Sequence, residues 1–127
     1  MDTPTPSKAA RLTGWVMTIL PSLLFAFSGI VKLAHPPALD EGFAKMQIPV
    51  SWALPLGILE LTCLVVYLIP RTAVVGAILL TGYLGGAILT HLRVGDFNGA
   101  HIVFGVILWG GLWLRDPRLR ALMPFVK

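Results

Sequence analysis

Residues 52–69 form an apolar run, WALPLGILELTCLVVYLI, that is long enough to cross a bilayer as a helix. It carries a single charged residue, Glu60, close to its middle. A carboxylate at the centre of a membrane helix costs about 2.5–3.5 kcal/mol on insertion scales. The run would resist insertion unless Glu60 were neutral, paired or facing water. We therefore expect the rest of the chain to give Glu60 a protected polar environment inside a small helical bundle.

The composition indicates an integral membrane protein of one domain. The chain has 127 residues, of which 56% are hydrophobic and 13% are charged, and its mean hydropathy is +0.81. About 25% charged residues is typical of soluble domains, so this chain cannot cover a soluble surface. Most basic residues flank apolar runs, so the net charge of +4 does not indicate binding to nucleic acid. The single cysteine, Cys63, excludes an internal disulfide.

The apolar runs predict an all-α fold, an antiparallel up-down bundle of four membrane spans at about residues 12–32, 52–69, 72–91 and 97–114. We expect a mobile polar N-terminal tail (1–11), the four-span bundle (12–114) and a basic C-terminal tail (115–127). The fourth span is short. The amphipathic pattern in the first loop predicts a short helix at the membrane surface, with Leu39, Phe43 and Met46 facing lipid.

The distribution of basic residues predicts an orientation. Four spans place both termini and the turn at Arg71 on one side, together with seven of the ten Lys and Arg residues. The positive-inside rule then predicts cytoplasmic termini in a bacterial inner membrane. Lys32, the first loop and His91 would face the outside.

The polar side chains converge on the outer half of the predicted bundle. From the helical rise, Glu60 and Tyr83 both lie about 12 Å below the outer boundary. Ser28 lies one turn from Lys32 on the same face, and His91 lies near the boundary. The inner half reads as nearly all apolar. The predicted ligand-binding residues are Ser28, Lys32, Glu60, Tyr83 and His91.

Each of these residues also has a structural interpretation. Glu60 could be a structural acid hydrogen-bonded to Tyr83 or Ser28, because polar groups often join membrane helices. Lys32 could be a snorkelling anchor at a span end, or it could neutralise Glu60 or an anionic ligand; its depth differs from that of Glu60, so the spacing does not establish a direct contact.

Other polar and small residues are given structural roles. His91 and His101 have no third ligand at convincing spacing, so we predict no metal site. Gly29, Gly82 and Gly86 are predicted to allow close helix packing.

No sequence motif assigns a reaction. The chain has no G-x-S-x-G, phosphate-binding glycine loop, HExxH or dithiol, so no catalytic residue is predicted. No haem, flavin or iron–sulfur motif is present either, so redox activity would require a partner or a quinone.

Four ordered fragments resemble the DoxX-like family of small membrane proteins: FAFSGIVKL, PLGILELTCL, TAVVGAILLTGYLGGAILTHLRVGD and WLRDPRLRALMP. The resemblance implies a four-helix membrane bundle. It also implies association with membrane oxidoreductase complexes, since the family name derives from a subunit of a thiosulfate:quinone oxidoreductase, whereas animal relatives act as assembly factors. Seven residues fall on the family's motif positions: Ser28, Gly29, Lys32, Glu60, Tyr83, Gly86 and His91.

Three interpretations of function follow. The first is an accessory protein of a membrane redox system whose pocket around Glu60 binds a small lipophilic ligand such as a quinone. At most it would be a subunit of a quinone-linked oxidoreductase. The second is a non-catalytic scaffold or assembly partner for another membrane protein. The third is a small transporter. The expected partners are the lipid bilayer, a membrane oxidoreductase and a second copy of the chain.

Overall fold

The computed structural model describes residues 5–97 and 99–124; most of these residues are helical, and none of them lies in a β-strand. The all-α prediction is therefore confirmed. The elements follow in the order α1 (Lys8–Ala34), α2 (Pro37–Lys45), a 3₁₀ turn (Val50–Trp52), α3 (Ala53–Leu68), a second 3₁₀ turn (Pro70–Thr72), α4 (Ala73–Arg93), α5 (Ala100–Arg115) and α6 (Pro117–Leu122).

The four long helices form an antiparallel ring. α1 packs against α3 and α5, and α4 packs against the same two helices, so α1 and α4 occupy opposite corners. One end of the ring carries α2, and we call it the α2 end. The opposite end carries the start of α1 and the end of α5, and we call it the terminal end.

Three of these helical segments are long and apolar enough to cross a membrane: Lys8–Ala34, Val50–Leu68 and Pro70–Arg93. α5 has 16 residues and spans about 24 Å, which is shorter than a typical bilayer core. Their outward faces expose large apolar side chains, among them Leu12, Phe27, Val65, Leu89 and Val106. So large a continuous apolar surface belongs in lipid.

The first and fourth helices start at positions set by local capping. α1 begins at Lys8, inside the predicted tail, because the Ser7 hydroxyl accepts a hydrogen bond from the Ala10 N–H at 3.1 Å. α5 begins at Ala100, three residues after the predicted start, because Gly99 adopts the left-handed conformation with φ of 83°. Residues 1–4 of the predicted tail lie outside the described residues.

The predicted C-terminal tail contains a short helix. Asp116 caps α6 by accepting a hydrogen bond from the Arg118 N–H at 3.0 Å, and Pro117 occupies the first helical position. Residues 125–127 of this predicted tail lie outside the described residues.

Glycines draw the helices together at the terminal end. A Cβ on Gly14 of α1 would lie 2.7 Å from the backbone oxygen of Gly111 on α5. Gly76 of α4 lies against the backbone of Tyr67 on α3 with no room for a side chain. The backbones of α1 and α5, and of α3 and α4, therefore touch at this end.

At the α2 end, glycine contacts join α1 and α3. A Cβ on Gly29 would lie 2.6 Å from Leu61, so the predicted close approach at Gly29 is present. By contrast, nothing lies within 4 Å of a Cβ built on Gly82 or Gly86 of α4. The predicted packing at these two glycines is therefore not made within the described chain, and they border open space instead.

Candidate functional site

A pocket of about 920 Å³ occupies the α2 end of the bundle. Each of the helices α1 to α5 contributes residues to its lining. It exists because α1 and α3 stay together at this end, whereas the glycine-rich face of α4 makes no close contact with them. All five predicted ligand-binding residues line it: Ser28, Lys32, Glu60, Tyr83 and His91.

The centre of the site is an ion pair between α1 and α3. Lys32 Nζ lies 3.1 Å from Glu60 Oε1 and donates a second hydrogen bond, of 2.6 Å, to Ser28 Oγ. The Glu60 side chain is 2% exposed and the Lys32 side chain 15% exposed. An ammonium group has three N–H donors, so these two bonds leave one N–H of Lys32 for a further acceptor.

Gly57 explains why Lys32 reaches Glu60. A Cβ on Gly57 would lie 2.9 Å from Lys32 Cβ, so the missing side chain lets the lysine descend along α3 to the carboxylate one turn below. The helical rise places the backbones of Lys32 and Glu60 at different depths. It does not account for the path of the Lys32 side chain past Gly57. The sequence signal was a glycine three residues before the buried acid.

Tyr83 approaches the same carboxylate from α4. Its side chain is partly buried and interacts electrostatically with Glu60. Glu60 therefore sits between a lysine on α1 and a tyrosine on α4. Because the lysine balances its charge, the acid no longer needs water in order to lie inside the bundle.

A pair of histidines lies higher in the pocket. The rings of His91 on α4 and His101 on α5 are 4.6 Å apart between centroids. His91 Nδ1 lies 2.7 Å from the Ala87 carbonyl oxygen, which can only accept, so Nδ1 is the donor of this hydrogen bond. His101 Nδ1 is buried and has no hydrogen-bond partner among the described residues.

The structure does not assemble a metal centre around these histidines. Among residues 5–97 and 99–124, no three His, Cys, Asp or Glu side chains come together in an arrangement that could hold a metal ion.

The walls of the pocket are apolar and continue to the outer surface of the bundle. Phe25 and Phe104 meet with ring centroids 6.4 Å apart. Other lining residues are also exposed on the outside of the bundle, including Leu24 at 54% and Phe27 at 69%. In a membrane the pocket would therefore communicate sideways with the hydrocarbon.

The roof of the pocket is α2, which corrects one sequence prediction. Phe43 is 7% exposed and lines the pocket together with Leu39 and Met46. These three side chains were expected to face lipid. An amphipathic pattern identifies the apolar face of a short helix, but it does not distinguish lipid from an apolar pocket as the surface that covers that face.

Two polar contacts and two strained residues hold this roof. His35 Nε2 lies 2.9 Å from Asp40 Oδ1, and Arg93 Nη2 donates to the Met46 carbonyl at 2.8 Å. His35 and Gln47, which flank α2, adopt positive φ angles of 53° and 58°. Left-handed backbone is uncommon for residues other than glycine, so the path of the chain into and out of α2 is tightly specified.

A second polar cluster lies at the terminal end, and no sequence pattern predicts it. Arg115 Nε donates to Thr18 Oγ1 at 3.1 Å, and the guanidinium stacks 4.2 Å from the ring centre of Trp15. The Tyr67 hydroxyl, buried nearby, donates to the Leu108 carbonyl at 2.8 Å. The expectation that the inner half is nearly all apolar was therefore wrong. Arg115 looked like the first residue of a basic tail, and its interior contacts depend on the close approach of α1 and α5.

One comparison with known proteins identifies the family. The family model described as the DoxX-like family matches residues 16–114, which include all four long helices or most of each. No curated protein and no solved structure matches the chain. The match agrees with the fragments that carry the resemblance and with a bundle of apolar helices. On this basis the chain belongs to the DoxX-like family.

Proposed function

We propose that this DoxX-like membrane protein binds a small lipophilic ligand, with a quinone as the best candidate, in the pocket around Glu60, and that it serves a membrane redox system. The observation that carries the proposal is the Lys32–Glu60 pair, buried in a pocket of about 920 Å³. Pockets for small molecules usually measure about 300–1,000 Å³ and combine apolar walls with a few polar groups.

The polar groups suit a ligand that both accepts and donates hydrogen bonds. The unused N–H of Lys32 can donate to a carbonyl oxygen, and the Glu60 carboxylate can accept from a hydroxyl. A quinone offers the carbonyl and the corresponding quinol offers the hydroxyl. Because Lys32 and Glu60 offset one another's charge, the pocket favours a neutral head group over an ion.

The apolar surroundings suit a ligand that arrives through the membrane. Leu24 and Phe27 belong both to the pocket lining and to the outer surface of the bundle. An isoprenoid or acyl tail could leave the pocket between these side chains and remain in hydrocarbon. Electrons would be exchanged with a partner protein, since no cofactor motif occurs in the chain.

The proposal includes a location and an orientation. We place the protein in a bacterial inner membrane with the terminal end at the cytoplasmic face, because that end holds most of the basic residues. The pocket and α2 then lie toward the outside.

Titration of the purified protein with a short-chain ubiquinone tests the binding role. Glu60→Gln is expected to weaken binding about tenfold or more, because a charge-assisted hydrogen bond is lost and Lys32 is left unbalanced. Glu41→Gln removes an exposed carboxylate on α2 and should bind like the wild type. Equal affinities for the wild type and a folded Glu60→Gln variant would contradict the proposal.

A second candidate is a scaffold role, and the exposed glycines of α4 favour it. Nothing lies within 4 Å of a Cβ built on Gly82, Gly85 or Gly86; the first and third line the pocket, whereas Gly85 lies outside its lining, and a small residue there allows another membrane helix to approach closely. The occupant would be a partner protein or a second copy of this chain. A partner retained in mild detergent by Glu60→Gln but lost from Gly85→Leu would favour the scaffold over the ligand pocket, because Gly85 does not line that pocket.

The transporter alternative gains no support from the described residues. Buried apolar side chains lie between the pocket and the polar cluster at the terminal end, among them Leu64, Leu80 and Leu108. A solute or proton would have to cross this layer.

A further inference from the structure

We propose that the terminal end of the bundle carries a binding site for one anionic phospholipid, at the face formed by Lys8, Arg11, Trp15 and Arg115. The headgroup phosphate would lie against the three basic residues, and one acyl chain would lie in the groove beside Trp15. This site is separate from the pocket around Glu60 and does not depend on the proposed function.

Arg115 is a fixed cation without an acidic partner. Its guanidinium carbon lies 4.2 Å from the centre of the Trp15 ring and 5.7 Å from that of Tyr67, and its Nε is bonded to Thr18. Its Nη2 is buried and has no hydrogen-bond partner within residues 5–97 and 99–124. A guanidinium held in this way has already lost its rotamer freedom, so binding an anion costs little further ordering.

Two more cations extend the same face. Lys8, Arg11 and Trp15 are spaced three and four residues apart on α1, which places them on one side of the helix. Lys8 and Arg11 are exposed, and within the described part of the chain no carboxylate lies within ion-pairing distance of either one or of Arg115.

The nearest acid in sequence is already occupied. Asp116 follows Arg115 directly, but its carboxylate accepts hydrogen bonds from the backbone and the guanidinium of Arg118. The positive charge of the Lys8–Arg11–Arg115 face is therefore not balanced by Asp116.

An apolar groove of about 240 Å³ continues from this face toward the middle of the bundle. It is lined by Trp15, Val16, Ile19 and Leu20 of α1. Trp15 therefore contacts the cation on one side and borders the groove on the other. The order along α1 is basic residues, tryptophan and then an apolar groove, which matches the order of phosphate, glycerol and acyl chain in a phospholipid.

The charges select the lipid class. A phosphatidylglycerol phosphate offers two acceptor oxygens and one uncompensated negative charge, and the exposed guanidinium of Arg11 can donate to both oxygens. Phosphatidylcholine carries its own cation, which the three basic residues would repel. Clusters of basic residues at a membrane surface attract anionic lipids with about 1 kcal/mol per residue, or about fivefold in affinity.

Quenching of Trp15 fluorescence by brominated lipids tests the site. The protein is reconstituted into phosphatidylcholine vesicles that contain a rising fraction of phosphatidylglycerol with brominated acyl chains. The difference between the wild type and Trp15→Phe isolates the emission of Trp15 from that of the other three tryptophans. With brominated phosphatidylglycerol, quenching is expected to saturate at a low fraction of the labelled lipid. In the control titration with brominated phosphatidylcholine, quenching should only rise in proportion to the amount of labelled lipid.

Matched charge variants separate a site from general attraction. Arg11→Gln should raise the phosphatidylglycerol fraction needed for half-quenching about fivefold. Arg71→Gln removes an exposed cation from the turn between α3 and α4 at the same end, and it should quench like the wild type. Equal shifts for the two variants, or equal quenching by the two lipids, would overturn the proposal. Displacement of the lipid by soluble glycerol 3-phosphate would also overturn it, because the groove would then contribute nothing.

Discussion

At the residue scale, the central feature is the Glu60 carboxylate, whose charge is offset by neighbouring side chains inside an apolar bundle. The sequence alone indicates that Glu60 needs compensation and places Ser28 and Tyr83 at a suitable depth. It offers Lys32 as a cation that could neutralise Glu60 but does not establish the direct bond, because the position of a Cα says little about where a long flexible side chain ends. Gly57 decides that question by opening a path for the lysine along α3.

Removing one member of the pair should destabilise the protein. Lys32→Met leaves Glu60 buried without its cation, and breaking a buried pair from one side costs about 3–5 kcal/mol. Reversible unfolding in detergent would measure the loss. The double variant Lys32→Met/Glu60→Leu should recover most of it, because no charge then remains buried. A Lys32→Met single variant as stable as the wild type would show that the pair does not compensate Glu60.

At the element scale, glycines decide which helices touch. The helix-packing role predicted for Gly29 agrees with its contact against Leu61, whereas Gly82 and Gly86 form a small-xxx-small pair on α4 and have no neighbour within 4 Å of a built Cβ in the described chain. A spacing pattern shows where close approach is permitted, but a partner must also be present. The close contact of Gly14 with Gly111 involves glycines far apart in the chain, so no local pattern could pair them.

Alanine at these glycines should therefore have unequal effects. Gly14→Ala places a Cβ 2.7 Å from the backbone oxygen of Gly111 and should reduce the free energy of unfolding by about 1–3 kcal/mol through overpacking. Gly82→Ala meets open space and should leave stability close to that of the wild type. Thermal unfolding of both variants in one detergent makes the comparison. Equal losses would contradict the packing described here.

The short helix α2 should control exchange of the pocket ligand. Phe43→Ala removes the buried aromatic side chain of the roof, so release of a short-chain ubiquinone should quicken on the order of tenfold, since changes in affinity appear mostly in dissociation rates. Phe43→Leu keeps an apolar cover and should change the rate little. Stopped-flow displacement would measure both rates. If Phe43→Ala released the quinone at the wild-type rate, α2 would not be a roof for the ligand.

At the scale of the whole molecule, the helical class and the four apolar segments follow from composition and hydropathy. The sequence also indicates that the polar groups lie at one end. It does not indicate the second cluster, because Thr18, Tyr67 and Arg115 come from three separate segments that meet only in the packed bundle. Contacts between residues that are far apart in the chain produce no periodic pattern in the sequence.

The proposed orientation has a direct test. In a Cys63→Ser background, Glu41→Cys on α2 should react with a membrane-impermeant maleimide added to intact spheroplasts. Leu122→Cys on α6, which is also exposed, should react only after lysis. The reverse pattern would place α2 in the cytoplasm and contradict the positive-inside argument.

Photoaffinity labelling with an azido-quinone tests the central proposal most directly. The labelled protein would be digested and the modified residues mapped by mass spectrometry. Modifications should concentrate on pocket residues such as Phe25, Tyr83 and Phe104, and an excess of unlabelled quinone should suppress them. Labels spread over lipid-facing side chains such as Val65 and Leu89, with no suppression by competitor, would show that the pocket does not bind quinones.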